Sequence, residues 1–367
     1  MFPVPTTKFA RVQTGYRHVF NVIDFRNAVT RELQRCGSRM PVPYDLTAMK
    51  MEELKFSVLW LIPIFSFLTN TYSQETTIRV DTDLVMIPVT VRDRDRRYVP
   101  NLKREDFRVF ENGEEQQVAF FETAEQPVTI FLLLDLSKSM EGYDAELANA
   151  ANGFLSQLRP KDQVLIAYFC DYTKMLRERE SVENIRNNKI KLKFCGKHTQ
   201  LYEAVEYAFE KIRKIDGRKA LVLFSDGVDS GIPLSSAGLF FVTAKSTLKN
   251  AEELDATIYS VQFGRFSFER PKTASRIDWE EIVGEVNSYM PDLAEVTGGR
   301  YFRVEDISDL GEAFANVARE LSQQYSVGYY PKEPGKRGER RRIKVRVNVP
   351  GAAVRARSSY VVGSPRR

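Results

Sequence analysis

One carboxylate and two hydroxyls stand on alternate residues in Asp135-Leu136-Ser137-Lys138-Ser139. They follow directly on the apolar run Val128-Thr129-Ile130-Phe131-Leu132-Leu133-Leu134. A run of that length and composition predicts a strand buried on both faces of a parallel sheet. The carboxyl end of such a strand is where open α/β sheets bind ligands. Oxygen donors held there suit Mg²⁺, which takes a near-octahedral oxygen shell and keeps several of its waters; Mn²⁺ accepts the same donors. Taken alone the string is common, and it equally describes a strand end followed by a polar helix cap.

Two later segments narrow the reading. Gly196-Lys197-His198-Thr199 is a loop whose threonine precedes an amphipathic helix marked by Leu201, Ala204, Val205, Ala208, Phe209 and Ile212. Ala220-Leu221-Val222-Leu223-Phe224-Ser225-Asp226-Gly227 is a second apolar strand ending in a carboxylate. Thr199 and Asp226 thus join Asp135, Ser137 and Ser139 as oxygen-bearing residues beside predicted strand ends or loops. Cys195 and His198 are too poorly supported to act as nucleophile and base, because neither an orienting third group nor an oxyanion element accompanies them. No catalytic residue is assigned, and the protein is expected not to be an enzyme.

The elements that must position these residues read as strand–helix alternation from Pro127 to Gln324. Strands fall at Val128–Leu134, Val164–Phe169, Ala220–Phe224, Ala256–Phe263 and Tyr301–Val304. Helical faces run through Leu147–Leu158, Leu201–Ile212 and Leu310–Leu321, and a further helix stops at Thr297-Gly298-Gly299, where glycine supplies the left-handed cap. This alternation predicts a largely parallel sheet covered by helices on both faces. Residues 78–121 instead alternate with a period near two. Asn112-Gly113 is a hairpin signal, with Gln117–Phe121 as the returning strand. The chain returns to β at Tyr325–Tyr330, Arg342–Val349 and Ala353–Val362, with Lys332–Arg341 as an exposed hairpin loop. These flanking segments are too short to stand alone and are expected to form one small β-sandwich into which the α/β part is inserted.

Asp-x-Ser-x-Ser, then Thr199, then strand-Asp226-Gly227, in this order, resembles the von Willebrand factor A domain with its metal-ion-dependent adhesion site. Three further segments are similar to a family of predicted secreted bacterial proteins related to that domain: Asp106–Gln116 (DFRVFENGEEQ), Leu293–Phe302 (LAEVTGGRYF) and Tyr325–Pro331. The resemblance spans roughly residues 76–362. It implies a Rossmann-like, doubly wound sheet. It further implies that Ser137 and Ser139 bind the ion directly, Thr199 does so in the ligand-bound state, and Asp135 and Asp226 act mostly through waters. The partner implied is a protein offering an Asp or Glu carboxylate. One departure is that Lys197-His198-Thr199 stands where many members have Gly-Gly-Thr. This stiffens the loop and places positive charge near the ion.

The start of the chain bears on location. Phe56–Leu68 is an uncharged apolar run, preceded by Lys50 and Lys55 and followed by Thr71-Tyr72-Ser73. It is short for a bilayer span, which takes about 20 residues, and matches the layout of a secretory signal peptide. Met49 and Met51 precede it, so residues 1–48 are expected to be a non-native or disordered extension, 49–73 the signal peptide, 74–126 the first β segment, 127–324 the A domain and 325–367 the second β segment. The product is expected to be exported to the periplasm, cell surface or medium. An uncleaved membrane anchor at 56–68 is the competing reading. Export leaves Cys170 and Cys195, either joined as a disulfide or kept as two buried thiols.

Of the formal net charge of +5, residues 1–48 supply +4, from seven basic against three acidic residues. The rest is near neutral, so the basic balance is no argument for nucleic acid. Two other functions stay open: a structural envelope scaffold with a vestigial metal site, and a cytosolic or membrane-anchored assembly partner of an ATPase.

Overall fold

The computed structural model describes residues 84–230, 242–264 and 276–363. The extension and signal-peptide readings lie outside these residues. Among the described residues, no helix is long and apolar enough to cross a membrane.

The alternation of the first β segment produces β1 (Val85–Arg92), which buries Val85, Ile87, Val89 and Val91. β2 (Phe107–Glu111) reverses at Asn112-Gly113, where φ is 51° and 94°, into β3 (Glu114–Gln116). The strand returning from this hairpin is thus Glu114–Gln116 and not Gln117–Phe121. The chain changes sheets at Gln117, and β4 (Val118–Glu122) pairs elsewhere. The reason is aromatic packing: Phe121 reaches the sandwich interior, 5.4 Å from the Phe107 ring and 6.0 Å from that of Tyr325.

From Thr129 the two-sided burial expected of a parallel sheet appears. The strands are β5 (Thr129–Asp135), β6 (Gln163–Phe169), β7 (Thr173–Ser181), β8 (Lys219–Ser225), β9 (Thr257–Phe263) and β10 (Arg300–Val304). Their order across the sheet is β10-β9-β8-β5-β6-β7, all parallel except β7, an antiparallel edge strand. Every residue of β5 is buried. Ile130, Leu132 and Leu134 pack on one side against α1 (Asp144–Gln157), α2 (Val182–Arg186) and α6 (Leu310–Leu321). Phe131 and Leu133 face the other side, under α3 (Leu201–Ile212), α4 (Ala244–Glu252) and α5 (Arg276–Glu295). Sequence reading missed β7, α2 and α4; β7 and α4 are too polar to show a clear period. α5 ends as expected, with Gly298 at φ 73°. The next residue, Gly299, lies so close to the Ile258 carbonyl that a side chain there would collide with backbone.

β11 (Tyr325–Tyr329), β12 (Arg340–Val347), β13 (Ala353–Arg355) and β14 (Ser359–Val361) complete the β-sandwich. One sheet runs β13-β1-β11-β4 and the other β14-β12-β2-β3. Lys332–Arg341 is therefore a crossover between sheets, not a hairpin loop. Arg341, at its end, is buried on Glu111, 2.6 Å away, with Tyr329 and Tyr360 donating to the same carboxylate. The stretch read as one strand, Ala353–Val362, splits between the two sheets. Arg357 interrupts it and turns inward to bind the carbonyls of Leu254 and Glu252. Sandwich and α/β layer are joined by Arg218, whose guanidinium donates to Ala124 and Gln126 on the way in and to Leu321 and Gln324 on the way out.

Candidate metal site

β5 and β8 are neighbours in register, Leu134 opposite Phe224, so their ends deliver Asp135 and Asp226 side by side. The chain leaves β5 toward β6 on one side, while β8 lies on the other. This is the topological switch point at which open α/β sheets form a crevice.

Asp135 is completely buried. Its Oδ1 accepts from the Ser137 N–H at 2.9 Å and its Oδ2 from the Ser225 hydroxyl at 2.7 Å. The Ser137 and Ser139 hydroxyls are 3.2 Å apart, and the influence of Ser139 favours the charged form of the Asp226 carboxylate. Asp226 Oδ1 also accepts from the Val228 N–H at 3.0 Å. The turn after Asp226 needs its glycine: Gly227 has φ 88°, and its N–H donates to Ser225 Oγ at 2.9 Å.

The third segment is held against the first two by main-chain bonds and a disulfide. Cys195 N–H donates to the Leu136 carbonyl at 2.9 Å, between the two site positions Asp135 and Ser137. Cys170 and Cys195 are joined, Cα atoms 6.0 Å apart, which resolves the two cysteine readings in favour of the bond. Thr199 N–H donates to Ser230 Oγ at 2.9 Å, and Ser230 N–H returns to the Thr199 carbonyl at 2.8 Å. Thr199 is thereby buried beside the loop that follows Asp226, while Lys197 and His198 are exposed. The loop's shape does not depend on the missing glycine pair. Gly196 takes the left-handed conformation, φ 72°, and the Asp171 carboxylate accepts the N–H groups of Lys197 at 3.1 Å and His198 at 2.6 Å.

Burial, and then the adjacent charge of Asp226, push the Asp135 carboxyl up to about 7, against the pull of the Ser137 and Ser225 hydrogen bonds. Asp226 is raised too, chiefly by burial, and opposed by Ser139 and the Val228 N–H. Two desolvated carboxylates side by side are stable only with a shared proton or a cation between them. Among the described residues no group of three or more His, Cys, Asp or Glu stands together. The donor set is instead two carboxylates and three hydroxyls, hard oxygens that fit Mg²⁺ or Mn²⁺ and not a soft metal. Asp135, Ser137, Ser139, Thr199 and Asp226 would hold the ion. Ser225, Ser230 and Asp171, which orient them, were not anticipated. A serine among the buried residues ending β8 was the available signal for Ser225.

Residues 109–238 match a family model described as "VWA domain containing CoxE-like protein". Over those residues the chain is similar to the von Willebrand factor A domain. No curated protein matches the sequence. Among solved structures, proximal thread matrix protein 1 from the mussel byssus is 13% identical over 56% of this chain and 49% of its own, TM-score 0.41. The chain therefore spans about half the length of that protein. A von Willebrand factor type A protein from Catenulispora acidiphila is 14% identical over 71% of this chain and 74% of its own, TM-score 0.40. The ArnB paralog VWA2 from Sulfolobus acidocaldarius is 13% identical over 75% and 76%, TM-score 0.40.

Proposed function

We propose that this protein is a non-catalytic, exported interaction module that captures a carboxylate of a partner protein through a divalent cation held by Asp135, Ser137, Ser139, Thr199 and Asp226. The observation that carries the reading is the pairing of two buried carboxylates at adjacent strand ends, with hydroxyls between them and a third loop stitched alongside. A bound Mg²⁺ or Mn²⁺ supplies a charge that an Asp or Glu side chain can join. The chain's own residues do the rest. Ser137 and Ser225 fix the Asp135 carboxylate, Val228 fixes Asp226, and the disulfide holds the Thr199 loop to the end of β6. With only two carboxylates against a dication, an incoming carboxylate is not repelled by excess negative charge. The disulfide agrees with an oxidising compartment.

The test is thermal unfolding of the full chain in EDTA and in excess Mg²⁺ or Mn²⁺, beside Asp135→Ala, followed by partner capture under the same conditions. A ligand at about 100 times its dissociation constant adds about 2.7 kcal/mol. A metal-dependent rise and EDTA-sensitive capture, both absent in Asp135→Ala, support the reading. Capture that persists in EDTA and in the variant favours a scaffold joined through the sandwich.

A further inference from the structure

At the seam between the β-sandwich and the α/β layer, three arginines converge on one carboxylate. Arg92 ends β1, Arg355 ends β13, and Arg300 opens β10; Glu320 lies in the last turn of α6 and is fully buried. Arg92 Nη2 is 3.5 Å and Arg300 Nη1 3.9 Å from Glu320 Oε2, and Arg355 Nη2 contacts Oε1. Three positive charges thus share one negative charge, an excess of two. The cations are not sealed in. Their side chains are 26%, 39% and 31% exposed, against 0% for Glu320.

The guanidiniums are also oriented. Arg92 lies 4.6 Å from the Tyr98 ring centre and Arg300 4.6 Å from that of Phe302. Arg92 Nη2 donates to the Tyr98 hydroxyl at 2.8 Å and Arg355 Nη1 to the Gly299 carbonyl at 3.1 Å. Among the described residues Glu320 is the only acidic partner of the three, and Arg92 and Arg300 each keep N–H groups with no protein acceptor. Burial and mutual repulsion disfavour the charged forms of Arg300 and Arg355. Like charges gathered at a half-exposed seam cost free energy unless a second anion joins them. Guanidinium forks match tetrahedral oxyanions, which accept two parallel N–H bonds per fork.

We propose that this seam binds a dianionic phosphate group, seated on Arg92, Arg300 and Arg355. Two negative charges balance the excess of two; a single carboxylate would leave one uncompensated. The site is separate from the metal loops and does not rest on the reading proposed for them.

The test is thermal unfolding of the full chain in EDTA, titrated with inorganic phosphate or glycerol 2-phosphate against sodium chloride at equal ionic strength. A saturable rise with either phosphate and none with chloride is expected. Tighter saturation by the ester would assign the group to an organic phosphate, and by the inorganic ion to free phosphate. Arg300→Gln should raise the midpoint concentration at least tenfold. Glu320→Gln, which leaves three cations without a counterion, should destabilise the chain in chloride and be rescued by phosphate. A rise no larger than that in chloride, or one that Arg300→Gln leaves intact, would overturn the proposal.

Discussion

Ser225 donates its hydroxyl to Asp135 Oδ2 across the β5–β8 boundary, 2.7 Å from oxygen to oxygen. This bond fixes which way the carboxylate faces and helps keep it charged against burial. Hydrogen bonds to charged groups contribute roughly 1.5–3 kcal/mol. Ser225→Ala is therefore expected to weaken Mg²⁺ or Mn²⁺ binding about tenfold or more while the domain stays folded, measured by isothermal titration. Unchanged affinity would mean that Asp135 is oriented without it.

The pH dependence of the metal-free protein follows from the same carboxyl. Asp135 titrates near pH 7 in the fold and at about 3.9 when unfolded. Between these values the folded state holds a proton that the unfolded state has released, so stability falls as pH rises from about 4 to 7. Across that window a loss on the order of a few kcal/mol is expected, reduced in Asp135→Asn. Bound Mg²⁺ takes the proton's place, so its stabilising effect should grow toward pH 7 and above. Denaturant midpoints from pH 4 to 8, with EDTA and with Mg²⁺, measure both. A metal effect that is flat with pH would contradict this account.

The Cys170–Cys195 bond closes a loop with a sequence separation of 25. The chain-entropy account assigns such a loop about 3.5 kcal/mol. Cys170→Ser with Cys195→Ser should lose about that amount. The double variant should also bind metal more weakly, because Cys195 is the residue that docks the Thr199 loop on Leu136. Loss of stability with metal affinity intact would show that the main-chain bonds alone position the loop.

Arg218 is buried and donates to four carbonyls in the two connections between sandwich and α/β layer. Arg218→Met strands the Leu321 and Gln324 carbonyls, while those of Ala124 and Gln126 keep the Arg159 guanidinium, and a loss of about 2 kcal/mol or more is expected. Lysine has one nitrogen and cannot reach both connections, so Arg218→Lys should recover little of it. Chemical denaturation with separate probes on the two parts would show whether they then unfold apart.

The α/β layer was legible in the chain because burial on both faces of a parallel sheet demands continuous apolar runs, and Val128–Leu134 and Ala220–Phe224 have no other use. The oxygen donors at the ends of these runs were legible for the same reason: a polar residue placed there has little to do in a core. The metal role itself remains a proposal. The sandwich was legible only as β structure. Local alternation does not encode which strand pairs with which, so Gln117–Phe121 was assigned to the wrong partner and Ala353–Val362, which divides between the two sheets, was read as one strand. Pairing there is decided by distant groups, Phe121 on Tyr325 and Arg357 on the end of α4. The Glu320 cluster was invisible in sequence, since Arg92, Arg300, Glu320 and Arg355 meet only once both sheets are assembled. Periodicity and strand-end chemistry are carried by neighbours in the chain; electrostatic partners far apart in sequence are fixed only by the tertiary fold.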